Sequence, residues 1–387
     1  MRPSPFRQFV LKVHSRCNLA CRYCYIYELE DQSWRHQPRG MSAGTVRAAV
    51  ARIVEHARAH GLTQVRVILH GGEPLLAGPA FIQDLVGQVR DALRATAAVD
   101  VVVQTNGTRL DEAMLTVLRR NAVRVGVSLD GDQAATDRNR RYPGGRGSYR
   151  AVTRGLELLR SDRYRASYAG LLCTVGLDHD PVQTYEALLS HEPPMIDFLL
   201  PHGTWSSPPP SRRPDNSTPY ADWLLAVFAR WTAPPRPETS IRLFDAIISL
   251  LLGGPGTSEV VGLGPADTMV IDTDGSIRQI DALSAAYENA SSTGLDVRRH
   301  ALDAALDHPT TVARQLGLAA LSPFCQACAV RDICGGGYYP HRYRSGDGFR
   351  NPSVYCADLL RLITAIRQYV VSETGRLSKA TSVRCRR

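Results

Sequence analysis

The stretch SRCNLACRYCYIYE, residues 15–28, decides how this chain is read. It follows a β-rich run, Gln8 to Val13, so Cys17, Cys21 and Cys24 stand at C-x3-C-x2-C in a loop just past a first strand. Three thiolates at that spacing can hold three irons of a [4Fe-4S] cluster and leave the fourth iron open to a chelating ligand. A zinc site short of one ligand, or three buried cysteines without metal, are the plainer alternatives. Tyr23, directly before the third cysteine, belongs to the same loop.

From this loop to about residue 200, short β-rich runs alternate with longer helical patterns, as in repeated βα units around a parallel sheet. The expected strands are Gln8 to Val13, Val65 to Leu69, Val99 to Gln104, Val123 to Ser128, Ala169 to Val175 and Ile196 to Leu200. Val46, Val50, Val54 and Ala57 make one apolar helical stripe, Phe81, Leu85, Val89 and Leu93 another, and Gly61 is placed to end the first helix. Six such units predict an α/β fold, a partial (β/α)6 TIM-like barrel with its ligands at the C-terminal strand ends. After the second strand, HGGEPLL offers Gly71 and Gly72, which let backbone approach a ligand closely, and the Glu73 carboxylate, a natural partner for an amino group. QTNGT and SLDG put Gln104, Asn106 and Ser128 at the same mouth, where each is equally readable as a turn residue.

The Pro/Ser-rich GTWSSPPPSRRPDNSTP, residues 203–219, reads as a loop at that mouth. Helices are expected at Tyr220 to Thr232 and Ile241 to Leu252, and the texture then changes to MVIDTDGSIRQIDAL, a hairpin turning on Asp274 and Gly275. The expected organisation is a barrel over 1–235, a smaller domain over 236–371 with a terminal helix from near Ala357, and a disordered tail over 372–387. The smaller domain holds CQACAVRDICGGGYYPHRY and NPSVYC, so Cys325, Cys328 and Cys334 stand at C-x2-C-x5-C with Cys356 further on. Four such thiolates are a complete ligand set, for structural zinc or for a second [4Fe-4S] cluster. Cys173 reads as core and Cys385 as a free tail thiol.

Composition narrows the class. Nine cysteines, an odd number spread over 387 residues, do not make a disulfide framework. The N-terminus has no apolar run suited to a secretory signal, and IISLLL at Ile247 to Leu252 is far too short to cross a bilayer. A soluble, cytoplasmic chain with no membrane partner is expected. The formal charge of +9 fits a phosphate-rich partner in principle. However, only Lys12 and Lys379 of the 46 basic residues are lysines, and the arginines are interleaved with acidic residues. An ordinary solvated surface, or one that accepts an acidic peptide, is therefore expected, and no nucleic-acid partner.

CNLACRYCY followed by GGEP resembles the radical S-adenosylmethionine (radical SAM) superfamily, in which the methionyl amino and carboxylate groups chelate the open iron. The resemblance implies Cys17, Cys21 and Cys24 as ligands of an S-adenosylmethionine-binding [4Fe-4S] cluster. It implies Tyr23, Gly71, Gly72, Glu73, Gln104, Asn106, Ser128 and Arg140 around S-adenosyl-L-methionine. Arg140 enters through DQAATDRNRRYPGGRGSY, whose Asp137 and Arg140 resemble the segment that contacts the cofactor's carboxylate or ribose; Arg138 and Arg141 are close competitors. The second cysteine set is similar to the SPASM extension of radical maturases, which usually carries two auxiliary clusters. Here Tyr338 stands where a cysteine follows CxGG, and Val260 to Tyr287 contains no cysteine. The inner auxiliary cluster is thus expected to be absent and the outer one, on Cys325, Cys328, Cys334 and Cys356, to be kept.

CNLACRYCYIYELEDQSWR, DTDGSIRQIDAL and CGGGYYPHRYRSGDGFRNPSVYCADL together resemble the FxsB-type cyclophane-forming peptide maturases over nearly the whole chain. That implies a ribosomal precursor peptide as partner, an electron donor such as flavodoxin or ferredoxin, and a carbon–carbon crosslink between an aromatic ring and the β-carbon of a nearby residue. A 5′-deoxyadenosyl radical would take the β-hydrogen, and restoring the ring would need an electron acceptor, for which the second cluster is a candidate, and a base. Asp281 is the candidate base, by its likeness to a hairpin aspartate of sulfatase maturases, although Ile280 replaces the preceding cysteine; a structural turn carboxylate is the alternative. Tyr338, His341, His202 and Trp205 are expected along the peptide channel or in plain aromatic packing. Many relatives of that type carry a C-terminal metallohydrolase-like extension; neither that extension nor an N-terminal leader-binding domain is expected from this sequence. The rival readings are an anaerobic sulfatase maturase, which makes formylglycine, and a non-catalytic metal-binding scaffold.

Overall fold

The computed structural model describes residues 3–210, 217–256 and 258–384, with side chains through residue 375. Among the described residues ten strands form one open sheet: β1 Gln8–His14, β2 Gln64–Gly71, β3 Ala98–Thr105, β4 Val123–Ser128, β5 Tyr168–Thr174, β6 Met195–Leu199, β7 Ser240–Ile241, β8 Thr268–Ile271, β9 Ser276–Arg278 and β10 Ser292–Asp296. Their order is β10-β9-β8-β1-β2-β3-β4-β5-β6-β7. Every pair from β8 to β7 is parallel, and β8, β9 and β10 pair antiparallel. The six strands read from the sequence are all present, with ends within two residues of expectation.

A parallel sheet needs cover, and its strands are apolar runs whose residues are mostly buried. Val67, Leu69, Val103, Val125 and Leu171 are fully enclosed. Cover comes from α1 Ala43–Ala59, α2 Pro79–Leu93, α3 Glu112–Arg120, α4 Gln133–Asn139, α5 Tyr149–Leu159 and α6 Pro181–Leu189. Ser42 caps α1 by accepting from the Thr45 amide, the expected stripe of Val46, Val50, Val54 and Ala57 is buried, and Gly61 follows at φ +58°. In α2 the buried face is Ile82, Leu85, Val86, Val89 and Leu93, with Phe81 at its margin.

The later elements are α7 Pro219–Trp231, α8 Arg242–Leu251, α9 Pro309–Gln315, α10 Pro323–Gln326, α11 Arg331–Cys334 and α12 Cys356–Arg384. Helix α12 packs on α7 and α8, with Tyr369 edge-on to Phe228 and Asp358 accepting from the Ala221 amide. The hairpin near Asp274 is present, and β8 pairs with β1 from Gln8↔Thr268 to Leu11↔Ile271, extending the parallel sheet. Helix α12 spans Cys356–Arg384 and so enters the segment 372–387. Cys385 and positions 211–216 of the Pro/Ser-rich loop lie outside the described residues. Among the described residues no helix is long and apolar enough to cross a membrane.

Candidate active site

The first cysteine loop leaves the C-terminal end of β1 and is clamped by the end of β2. The Gly72 amide donates to the His14 carbonyl (2.8 Å) and the Glu73 amide to the Arg16 carbonyl (3.0 Å). Gly71 sits at φ +138°, where a Cβ would overlap the His14 carbonyl oxygen; a Cβ on Gly72 would overlap the Tyr27 hydroxyl and the Arg16 backbone. Both glycines permit this close approach of chain on chain.

Glu73 is fully buried. One oxygen accepts from the Leu75 amide (2.9 Å) and the Thr105 hydroxyl (2.7 Å), the other from the Asn106 amide (2.8 Å). Burial raises its pKa, against those bonds and Arg140. It locks β2 to the end of β3, and through Asn106 reaches the cysteines: Asn106 Nδ2 donates to Cys17 Sγ (3.6 Å) and to Asn18 Oδ1 (2.9 Å), and the Leu19 amide also donates to Cys17 Sγ (3.3 Å). Burial pushes the Cys17 thiol up to about 12 and Cys24 to about 11, and raises Cys21 despite Arg140. Buried thiols of this kind give up their protons to a bound metal centre, which fits a cluster ligand set. Gln104 Nε2 donates to Ser128 Oγ (3.0 Å), bridging the ends of β3 and β4.

Arg140 is the arginine of its segment that enters the site. Its Nη1 donates to the Tyr23 hydroxyl (3.0 Å), which in turn donates to Asp130; Asp130 also accepts from the Thr174 amide (3.2 Å). Arg140 Nε is buried with no partner among the described residues, a donor free for a ligand carboxylate. Arg138 instead pairs with Asp178 at the surface (2.6 Å), and Arg141 donates to the Asp137 carbonyl. Asp137 holds its own loop by accepting from the Tyr149 amide (2.8 Å).

Asp281 lies beside the same strand ends. Lys12 Nζ is 3.4 Å from its Oδ1 and 3.2 Å from Asp272 Oδ2, and His70 Nδ1 is 3.9 Å from its Oδ2. Burial works to lower the pKa of Lys12, but Asp281 and Asp272 outweigh it and raise the value. Burial lowers His70, against Asp281. Next to this group the rings of Tyr25 and His202 meet at 4.7 Å, His202 and His341 at 5.8 Å, and Tyr338 and His341 at 5.3 Å. Trp205 stands aside, its Nε1 donating to the Pro352 carbonyl (2.7 Å). Lys12, His70, Tyr25 and Asp130 were missed from sequence; a lysine inside the apolar run QFVLKVH was the clearest available signal.

Cys325, Cys328, Cys334 and Cys356 line one pocket with Phe324, Leu360 and Gly336. Ser322 caps α10 through the Cys325 amide, and after Cys334 three glycines in succession take positive φ. A Cβ on Gly335 would overlap the Gly262 carbonyl. The buried Arg342 guanidinium donates to the carbonyls of Gly335 and Gly337 (both 2.6 Å), putting a cation beside the thiolates. Among the described residues no three of these sulfurs converge within 4.8 Å of one another. One zinc ion, with Zn–S of about 2.3 Å, would draw them to roughly 3.8 Å. Four thiolates lining one pocket are a complete donor set for zinc or for a [4Fe-4S] cluster.

Residues 11–190 match the profile of the Radical SAM superfamily. The match covers just under half of the chain. The chain is accordingly an enzyme that uses a [4Fe-4S] cluster and S-adenosylmethionine. It is 24% identical over 353 residues to a serine-type anaerobic sulfatase-maturating enzyme of Klebsiella aerogenes, covering 89% of this chain and 82% of that one. Two solved structures share the fold. Native anSMEcpe with bound AdoMet and Cp18Cys peptide superposes with a TM-score of 0.79 at 20% identity, over 96% of this chain and 99% of that one. Streptococcus suis SuiB bound to precursor peptide SuiA gives 0.56 at 14% identity, over 90% and 75%.

Proposed function

We propose that this radical SAM enzyme oxidises a side chain of a ribosomally made precursor peptide at its β-carbon and joins that carbon to a nearby aromatic ring, forming a cyclophane as in FxsB-type maturases. One observation carries the reading. Asp281, held by Lys12 beside His70, lies next to Tyr25 and Tyr338, with Ile280 and Tyr338 at the positions where the sulfatase-maturase pattern calls for cysteine.

Cys17, Cys21 and Cys24 hold the first [4Fe-4S] cluster. Arg140, through its free Nε, takes the carboxylate of S-adenosylmethionine, while Tyr23, Gly71, Gly72, Glu73, Gln104, Asn106 and Ser128 shape the surrounding pocket. Cys325, Cys328, Cys334 and Cys356 hold an auxiliary [4Fe-4S] cluster in a SPASM-like domain. When bound, these groups supply a 5′-deoxyadenosyl radical and take back the electron released at the end, so that S-adenosylmethionine is the net oxidant. The peptide loses two hydrogens in all. One leaves the β-carbon as a hydrogen atom; the other leaves the ring as a proton, after the bond has closed, and Asp281 accepts it. An electron donor of the flavodoxin or ferredoxin class and a cytoplasmic location accompany this reading.

Formylglycine formation from cysteine or serine is the second reading, favoured by the names of the sulfatase-maturating relatives. Co-expression with a small peptide encoded beside the gene separates the two. Making formylglycine from serine also removes two hydrogens, so mass alone is insufficient and an aldehyde-reactive hydrazine is added. The expected product is lighter by two hydrogens per crosslink, silent to hydrazine, and resists fragmentation between the joined residues. A hydrazine-reactive product establishes the second reading, and an unchanged mass overturns both.

A further inference from the structure

Helix α1 carries His56, and His60 follows one turn later at its C-cap, so the two imidazoles share a face. The turn Leu302–Ala305, after β10, brings Asp303 against them. Ligand atoms of these three residues all lie within 4.8 Å of one another, the only such group of histidine, cysteine and carboxylate side chains among the described residues.

Hydrogen-bond accounting shows what this cluster lacks. His56 Nε2 is 3.2 Å from the Phe6 carbonyl oxygen, which can only accept, so Nε2 carries the ring proton. In the neutral ring Nδ1 is then a bare acceptor, yet it faces Asp303 Oδ1, another acceptor. His60 Nε2 closes the group, 3.1 Å from each carboxylate oxygen. A cation shared by the three residues relieves the conflict, with Asp303 drawing back from His56 to the spacing of two ligands of one ion.

We propose that His56 Nδ1, His60 Nε2 and Asp303 bind one zinc-class divalent ion, with the fourth position left to water. Two imidazole nitrogens and a carboxylate oxygen suit zinc, and a metal-bound histidine that donates its other N–H to a backbone carbonyl is the expected outer partner. His56 is enclosed, whereas His60 and Asp303 are partly exposed and leave an entry path. The position separates this site from the radical chemistry. Helix α1 runs from the cysteine end of the sheet back to the opposite end, where Phe6 precedes β1. The ion there ties α1 to the chain that follows the β8–β10 extension and acts as a structural clasp.

The test uses protein with its clusters intact, equilibrated with Zn²⁺, stripped of loosely held metal on a chelating resin and assayed for zinc and iron beside His60→Ala and Asp303→Asn. Expected are one zinc per chain in the wild type, at least tenfold less in either variant, and equal iron in all three. Zinc should also raise the unfolding temperature of the wild type and not of the variants. Equal zinc in wild type and variants, or none retained by the wild type, overturns the proposal. Should a variant also lose iron, diethyl pyrocarbonate mapping of the wild type decides: protection of His60 by zinc supports the site, and unchanged labelling overturns it.

Discussion

Arg140 is a buried guanidinium whose neighbours are the Tyr23 hydroxyl, the Asp130 carboxylate and Cys21, and burial is outweighed by those groups so that its pKa is raised. Its unpartnered Nε gives it a hydrogen bond to offer without breaking one. Lysine at this position keeps the charge but has no planar fork. Arg140→Lys is therefore expected to raise the KM for S-adenosylmethionine by about tenfold or more, the worth of one charge-assisted bond, with iron content unchanged. The readout is 5′-deoxyadenosine formed against cofactor concentration; a fall in iron with KM untouched would make Arg140 a prop of the cysteine loop instead. At this scale the cysteines, Glu73 and Arg140 were legible because each sits in a short motif. Asp130 was not, since an aspartate before glycine at a strand end reads as a turn residue, and only the fold brings Tyr23 to it. Gly71 and Gly72 were legible as conformational necessities, but the contacts of their backbone with His14 and Arg16 were not.

Among the elements, β8 is the one whose place the sequence conceals. Its turn to β9 is announced by Asp274 and Gly275, a local signal, whereas its parallel partner β1 lies far back along the chain, and no local pattern selects such a partner. The consequence reaches the site, because Asp272, directly after β8, and Asp281, just past β9, hold Lys12 and are positioned by the register of β8 with β1. Ile271 pairs with Leu11 and is fully buried. Ile271→Ala is expected to cost about 2–5 kcal/mol, from lost burial and the cavity left behind. Urea unfolding measures it, and a cost below about 1 kcal/mol would mark β8 as a peripheral strand that cannot fix Asp281. The helices were legible for the opposite reason: the stripes of α1 and α2 are local periodicities, and tertiary packing only trimmed Phe81 from the second.

At the scale of the molecule, Tyr25, His202, Tyr338 and His341 join the first cysteine loop to the segment that carries the second set, a meeting of chain positions that no spacing reveals. The two histidines here are held neutral. Burial lowers His202 to about 4 and His341 well below its usual value, and the groups around them are Tyr25, Tyr338, Tyr355 and Arg342. An unfolded chain protonates both imidazoles near pH 6.5, which the folded chain resists. Their contribution is therefore fully present above that pH and is lost as pH falls toward 4, with His202 alone accounting for up to about 3 kcal/mol. The raised pKa values of Glu73 and Asp130 act in the opposite sense once those carboxyls begin to protonate, so the clearest window lies below pH 6.5 and above their titration. The urea midpoint is expected to drop between pH 7.5 and 5.5, and to drop less in His202→Phe, whose ring keeps the packing without a titrating nitrogen. A midpoint that does not move over that range, or that moves equally in His202→Phe, refutes the assignment. Because this junction is where the two cysteine-bearing halves meet, acid that opens it should also loosen their ligand sets, and iron loss should track the same fall in stability.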